Sequence, residues 1–249
     1  MDGVTLAGRT AVVTGGAGGM GSAISRDLAS LGARVVVADI NSDGAEKVAA
    51  DLPDALALAV DLSDPASVDE FIARTKEAVG RVDVLVNNAG WDKVEPFLTS
   101  APPTWDRLIA INLRAPIQLT HGFLGGMTEA RWGRLVFVAS DAGRVGSSGE
   151  AVYAACKAGL IGFSKTIARE SAKFGVSSNT VCPGPSDTPL LREVAAGNPK
   201  LVESLERSIP MKRLAHPDDI AGVVCYFCTE RAGYVTGQTI SVSGGLTMV

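Results

Sequence analysis

Short apolar runs rich in β-branched residues recur along this chain, at residues 11–14, 34–38, 55–60, 82–86, 134–139, 176–181 and 239–242. Between them lie longer stretches whose apolar positions have helical spacing. Strands alternating with helices in this way form βαβ units and a parallel sheet. The run at 82–86 is almost continuously apolar, as a strand covered on both faces requires. No repeat, linker or shift in composition breaks the alternation. With 249 residues, 46% hydrophobic and 20% charged, the chain can build one substantial core. The pattern predicts an α/β protein with a single domain over 1–249, built on a doubly wound, seven-stranded parallel sheet.

The first run leads into Gly15-Gly16-Ala17-Gly18-Gly19-Met20-Gly21 and then a helical pattern. Strand, glycine loop and helix together aim free backbone N–H groups and a helix dipole at a pyrophosphate, as in Rossmann-type dinucleotide sites. The glycines fit two registers, 15/19/21 and 16/18/21, and either brings backbone close to phosphate. A flexible glycine turn is the plain alternative. The second run ends in Asp39, about 20 residues further on, where a carboxylate can accept hydrogen bonds from an adenosine ribose. It would also repel a 2′-phosphate, and neither Gly16 nor Ile40 offers a compensating cation. The expected cofactor is therefore NAD. The same position also suits an aspartate that merely caps a helix over 41–51.

The third run ends in Asp61-Leu62, and Pro65 fits the first turn of the helix that follows. The fourth ends in Asn87-Asn88-Ala89-Gly90, small residues that let the chain pass close to a flat ligand or simply turn. In the helix beginning at 103, Pro116 lacks the N–H that would bond the Asn112 carbonyl, and its ring crowds that carbonyl. A kink centred on Asn112 is expected. It either frees an acceptor that can hold a water or only bends a long helix.

Ser140 follows the fifth run, and Tyr153 and Lys157 stand one helical turn apart on a shared face. An ammonium so placed favours phenolate, so Tyr153 is expected to titrate below the reference of about 10. A tyrosine tuned in this way can act as an acid–base group near neutral pH. Taken alone, the same spacing describes many surface helix pairs. Past Pro183-Gly184, residues 188–213 carry Leu190, Leu191, Val194, Leu201 and Leu205. This insertion reads as a substrate lid over the strand ends, or else as a fixed pair of surface helices.

Other chemistries fit less well. A net charge of −4 without a basic cluster argues against nucleic-acid binding. No apolar run approaches the ~20 residues that span a bilayer, and residues 1–10 lack the pattern of a signal peptide. No membrane association and a cytoplasmic location are expected. Cys225 and Cys228 form a C-x-x-C inside an apolar stretch, with no histidines to complete a zinc site, so buried thiols and no metal are expected. His121 and His216 do not suggest a hydrolytic triad in the absence of a nucleophile elbow. His216, before Pro217 and Asp218, reads as a helix entry.

Thr14-Gly15-x-x-x-Gly19-x-Gly21, Asn87-Asn88-Ala89-Gly90, Asn112, Ser140, Tyr153-x-x-x-Lys157 and Pro183-Gly184 together resemble the short-chain dehydrogenase/reductase family. The resemblance spans essentially the whole chain. It implies hydride transfer between NAD(P) and a carbonyl or alcohol. Tyr153 would be the acid–base and Ser140 would hold the substrate oxygen. Lys157 would grip the nicotinamide ribose, and Asn112 would hold a relay water. Cofactor contacts would come from Gly15, Gly18, Gly19, Met20, Asp39, Ile40, Asp61, Leu62, Asn88, Ala89, Gly90, Tyr153 and Lys157. Pro183, Gly184 and Thr188 would line the nicotinamide. The implied assembly is a homotetramer, or a dimer, paired through the long helices.

Within the family, four runs carry a closer likeness: the one ending Trp91-Asp92, the run 144–157 with Cys156, the run 181–185, and the run 241–248 with Ser243. They are similar to members that oxidise a ring secondary alcohol of an acyl-CoA with NAD, in alicyclic and aromatic acid degradation. Trp91 and Val145 would wall a carbocycle. Arg144, Arg192, Lys200, Lys212 and Arg213 would offer cations to CoA phosphates, unless they are ordinary solvated charges. The alternatives are a 3-oxoacyl thioester reductase, acting on acyl carrier protein or CoA, and a non-catalytic dinucleotide sensor.

Overall fold

Each apolar run becomes a strand: β1 (Thr10–Thr14), β2 (Arg34–Asp39), β3 (Leu56–Ala59), β4 (Val84–Asn87), β5 (Gly133–Val138), β6 (Val176–Pro183) and β7 (Thr239–Val242). The computed structural model describes residues 3–188, 191, 192 and 199–249. The strands form one seven-stranded sheet in the order β3-β2-β1-β4-β5-β6-β7, and every pairing is parallel. Sequence order runs outward in both directions from the β1–β4 pair. The crossovers that leave β1 and β4 lie on opposite faces, which leaves a crevice at the carboxyl ends of those two strands.

Alternation of side chains along each strand sorts the core into two layers. Val13, Val35, Val37, Val86 and Val136 face α1 (Gly19–Ser30), α2 (Ser42–Ala50) and a late helix, Pro217–Cys228, through Ile24, Leu28, Ala45, Val224 and Phe227. Val12, Val36, Leu85, Leu135 and Phe137 face α3 (Pro65–Val79) and two further helices through Phe71, Leu119, Phe123 and Leu160. Fully burying one such side chain contributes about 1.5–3 kcal/mol. The sheet is thus held by helices on both sides.

One apolar run is shorter than its composition predicts. Asp83 interrupts 82–86 and is buried, accepting from the Thr10 N–H at 3.0 Å and pairing with Arg81 at 2.8 Å. Regular pairing starts at Val84, where the carboxylate has been satisfied.

The helix expected to kink at Asn112 is divided into α4 (Pro102–Ile109), a π-helical turn over Ala110–Arg114, and α5 (Ala115–Glu129). The Ala115 N–H bonds the Ala110 carbonyl five residues back. Without a donor at Pro116, the turn widens instead of breaking. Next come the short α6 (Ala142–Val145), α7 (Ala151–Ser171), α8 (Pro199–Ser208) and α9 (Pro217–Cys228). His216 caps α9 in a reciprocal box with Asp219, as its position before Pro217 implied. Cys225 and Cys228 are free and buried.

Of the segment expected as a lid, 188–213, residues 189, 190 and 193–198 lie outside the described residues, Leu190 and Val194 among them. Its ends are tied together. Ser186 and Ala215 form a parallel bridge, and the Ala215 N–H donates to the Pro185 carbonyl at 3.0 Å. No described helix is long and apolar enough to cross a membrane.

Candidate active site

At the crevice, the backbone is shaped before any functional side chain enters. Gly15 has φ +64°, a left-handed conformation that glycine adopts at little cost. A Cβ on Gly21 would lie 2.0 Å from the Gly15 carbonyl oxygen, so α1 closes directly onto the loop. Gly18 is the N-cap of α1 with no side-chain cap, and no acidic residue occupies the first turn that Gly19 and Met20 open. The leading N–H groups of this helix suit an anion. Asn88 fastens the loop from β4, donating to the carbonyls of Thr14 at 2.9 Å and Gly15 at 3.3 Å. In return the Thr14 hydroxyl accepts from the N–H groups of Asn88 and Ala89, each at 3.1 Å.

Asp39 faces the same loop. Its two carboxylate oxygens accept from Ala17 N–H at 3.0 Å and Asn41 N–H at 2.9 Å. Each oxygen keeps a further lone pair, so the group is fixed in place and can still accept from hydroxyls. Ile40 beside it is largely exposed. The Ser63 hydroxyl and N–H hold the Asp61 carboxyl below its usual range, and Leu62 packs inward. Backbone donors facing one anion, with a carboxylate facing a diol, match the chemistry of a dinucleotide.

On the other side of Gly90 stand the groups expected to carry chemistry. Lys157 is buried, and its Nζ donates to the Val138 carbonyl at 3.0 Å. The Tyr153 ring centroid lies 5.4 Å from that amine. Asn112, inside the π-helical turn, is fully buried. Its Nδ2 donates to the carbonyls of Trp91 at 2.7 Å and Leu108 at 3.0 Å, and its Oδ1 accepts from the Trp91 N–H at 3.2 Å. A Cβ on Gly90 would sit 3.2 Å from Asn112 Oδ1 and 3.4 Å from Lys157 Nζ. The π turn and α7 thus converge on one stretch of bare backbone. Ser140 accepts from Ala142 N–H at 3.1 Å, and its hydroxyl favours the ionised form of Tyr153.

The expected downward shift of Tyr153 is corrected by the structure. Its hydroxyl is held above the ordinary tyrosine value, first by burial and then by the carboxylates of Asp92 and Glu150. Ser140 opposes them and is outweighed. Burial pushes Lys157 itself down to about 8. Its amine is directed at a carbonyl rather than at the phenol oxygen.

Pro183 and Gly184 arrive at the end of β6, where the Gly184 N–H donates to the Val242 carbonyl at 3.0 Å. Thr188 follows, its hydroxyl accepting from Leu191 N–H at 3.3 Å. The expected substrate contacts are more scattered. The Trp91 ring packs under the Arg107 guanidinium at 4.3 Å, and Val145 is exposed. Arg144 donates to the Ser241 hydroxyl at 2.7 Å, and Ser241 in turn bonds Asp141, so this cation ties α6 to β7. Arg192 pairs with Asp187 at 2.7 Å, Arg213 pairs with Asp219, and Lys212 donates to the Arg207 carbonyl. None of these three faces outward without a protein partner.

The sequence reading missed two residues at the site. Asp92 and Glu150 line a pocket with Tyr153, Trp105, Leu108 and Val152. Neither belongs to a spaced motif; only the fold brings 92 beside 150.

Comparison with known proteins places this geometry in a lineage. Residues 15–247 match the family model described as Enoyl-(Acyl carrier protein) reductase. The chain is 35% identical over 243 residues to 3-oxoacyl-(acyl-carrier-protein) reductase FabG of Escherichia coli strain K12, covering 97% of this chain and 98% of that protein. It is 37% identical over 237 residues to acetoacetyl-CoA reductase of Shinella zoogloeoides, covering 95% and 98%. A solved structure from Beutenbergia cavernae, provisionally assigned as an NAD(P)-dependent gluconate 5-dehydrogenase with NADP bound at low occupancy, superposes with a TM-score of 0.92. It is 33% identical, and the match covers 98% of each chain. Glycine loop, Asn88 lock, π-turn asparagine and the Ser140, Tyr153 and Lys157 cluster thus stand on a chain that matches along almost its whole length, and this protein belongs to the short-chain dehydrogenase/reductase family of oxidoreductases.

Proposed function

We propose that this oxidoreductase interconverts a 3-oxoacyl thioester and its 3-hydroxyacyl counterpart, using NAD(H) in preference to NADP(H). The reducing direction is supported by Tyr153, whose hydroxyl burial and neighbouring carboxylates hold above the ordinary tyrosine value, so that it has a proton to give. A phenol held above its ordinary pKa is suited to give a proton to a carbonyl oxygen, which is the reducing direction. The thioester class rests on the names of the two enzyme relatives. The cofactor preference rests on Asp39, whose fixed carboxylate would accept from ribose hydroxyls and repel a 2′-phosphate.

When bound, the nicotinamide supplies the hydride. The chain's own residues do the rest. The helix start at Gly18, Gly19 and Met20 would hold the pyrophosphate, with Gly15, Asn88, Ala89 and Gly90 shaping the floor. Ser140 would donate to the substrate oxygen as negative charge develops there, and Tyr153 would deliver the proton. Lys157 and Asn112, converging on Gly90, would return a proton from solvent and hold the ribose side. Thr188 and the segment 188–213 would close over the substrate. The assembly proposed with this reading is a homotetramer paired through α5 and α7.

A second reading has one specific support. The run ending Trp91-Asp92, Cys156 and Ser243 are similar to 2-hydroxycyclohexanecarboxyl-CoA dehydrogenase, which acts on a ring alcohol. One experiment separates the two. Purified protein is given NADH or NADPH with acetoacetyl-CoA, and NAD with ring 2-hydroxyacyl-CoAs, while absorbance of the reduced cofactor is followed. Consumption of NADH with the linear substrate is expected. Turnover confined to ring alcohols would transfer the assignment to the second reading. NADH binding without turnover of any substrate would leave only a dinucleotide sensor.

A further inference from the structure

Ser140 stands at the entry to α6, a helix of four residues. One turn is too short to hold its own direction, so the orientation of α6 comes from what it touches. Its entry stays paired to β6 beyond the end of β5. Ala139 N–H donates to the Val181 carbonyl at 2.8 Å, and Asp141 N–H to the Pro183 carbonyl at 3.3 Å. Toward α7 the contact is between backbones. A Cβ on Gly143 would lie 2.7 Å from Ala158 N and 2.8 Å from the Lys157 carbonyl carbon.

A second tie, to β7, is made by side chains. Asp141 is the N-cap of α6, yet it makes no capping bond, and it is buried. Its Oδ1 accepts from the Ser241 hydroxyl. Arg144, one turn further along, donates to the same hydroxyl at 2.7 Å. A guanidinium has donors only, so the single proton of the Ser241 hydroxyl goes to the carboxylate. Ser241 is thus oriented from both ends and stands between a buried negative charge and a cation. Among the described residues this is the only hydrogen bond of the Asp141 carboxylate, whose Oδ2 is buried without a partner. Sheet register brings Ser241 there, because it pairs with Cys182, the neighbour of Pro183. Asp141 is therefore fastened to two adjacent strands, by its N–H to β6 and by its carboxylate to β7.

The Ser140 hydroxyl moves with this assembly. Its Oγ accepts from Ala142 N–H at 3.1 Å, and its carbonyl accepts from Gly143 N–H at 3.0 Å. A donor to a developing oxyanion acts over a narrow range of positions, and a misplacement of about 1 Å can cost about a hundredfold in rate.

We propose that Asp141, Ser241 and Arg144 are positioning residues of the reaction: together they fix the rotation of α6 from the edge strand β7, and with it the place of the Ser140 hydroxyl. Each acts through Ser140 rather than on the substrate. Arg144 thereby takes a different task from the CoA phosphate contact expected in the sequence. The inference rests on Ser140 holding the substrate oxygen in the proposed reaction.

A double-mutant cycle tests it, with acetoacetyl-CoA reduction by NADH as the assay. Ser241→Ala should lower kcat and kcat/KM together, by about tenfold or more, with NADH binding unchanged. Ser241→Thr keeps the hydroxyl and should restore most of the rate. Ser140→Ala should cost about 10²–10³-fold. In that background Ser241→Ala should cost nothing further, because no hydroxyl is left to place. An equal loss in both backgrounds would reduce Ser241 to a general structural support and overturn the proposal. Arg144→Met should show the same kcat loss and the same non-additivity, and it decides the case if Ser241→Ala fails to fold. A raised KM for acetoacetyl-CoA at constant kcat would make Arg144 a substrate contact instead. If the wild type turns over only ring alcohols, the same cycle is run with that substrate and NAD.

A second measurement needs no turnover. Hydrogen exchange of the full-length protein should be faster at the Ala142 and Gly143 amides in Ser241→Ala than in the wild type, with the β5 amides unchanged. Unaltered protection there would overturn the tie from β7. Full turnover by Ser140→Ala would instead defeat the oxygen-holding role on which the proposal rests, while amide exchange would still report on the tie.

Discussion

Gly90 divides the site into two walls that are built by different means. On the side of β1 and β2, the wall is backbone: Gly15 and Gly21 in close approach, the capless start of α1, and Asp39 bonded to two N–H groups. On the other side it is side chain upon side chain: Tyr153 and Lys157 from α7, Glu150 from its N-cap, Asn112 from the π turn and Asp92 from the loop after β4. The first wall contains one ionisable side chain, Asp39, held by two backbone N–H groups. The second packs several into partial burial, and there the titrations move. A backbone wall fixes what binds, because N–H directions and close approaches leave few alternatives. A side-chain wall fixes what happens to a proton, because burial and neighbouring charge decide which groups keep theirs.

Substitutions on the two walls should therefore fail in different ways. Tyr153→Phe removes the proton and leaves the backbone wall intact. Turnover should fall by roughly 10²–10⁴-fold while NADH fluorescence titration shows near-normal binding. Retained turnover would erase the distinction between the walls.

Gly21→Ala should do the reverse. The added methyl group meets the Gly15 carbonyl at 2.0 Å, so the loop must shift. Cofactor affinity should drop by tens-fold, and stability by about 1–3 kcal/mol, read from isothermal titration and a urea melt. An unchanged dissociation constant would show that the loop is not a phosphate cradle.

Asp39→Ala should be milder. Losing charge-assisted hydrogen bonds worth about 1.5–3 kcal/mol should cut the NAD-over-NADP preference by about tenfold or more, measured as the ratio of kcat/KM values. A ratio that does not move would count against the ribose contact.

The last effect concerns stability. Lys157 titrates near 8 in the folded chain and near 10.4 when unfolded. Between these values the unfolded chain binds more protons, so this group makes stability rise with pH there, by at most about 1.4 kcal/mol per pH unit. Comparing wild type with Lys157→Met in urea melts should show the wild type gaining on the variant from pH 8 upward, with a constant difference below it. A gain below pH 8 would contradict the burial of the ammonium.

Much of this was legible beforehand, for reasons that differ by residue. Val13, Val37 and Val86 alternate with Val12, Val36 and Leu85 across the two core layers, and period-two patterning is a local property of sequence. Glycines at 15, 18 and 21 and the aspartate at 39 lie within one βαβ unit, so their spacing alone carried their placement. Pro116 foretold a disturbance at Asn112. That the turn would widen into a π turn, letting the asparagine side chain clamp Trp91, depended on the loop it faces.

What sequence determined by itself was the order of elements, the two faces of the sheet and the position of the backbone wall, because each follows from neighbours along the chain. Only the tertiary structure decided the charge state of the other wall. It carried Asp92 and Glu150 to one pocket across the fold, turned Arg144 toward Ser241, and aimed Lys157 at the Val138 carbonyl. Burial and charge proximity act through space, and a titration set by groups 58 residues apart leaves no periodic mark in sequence.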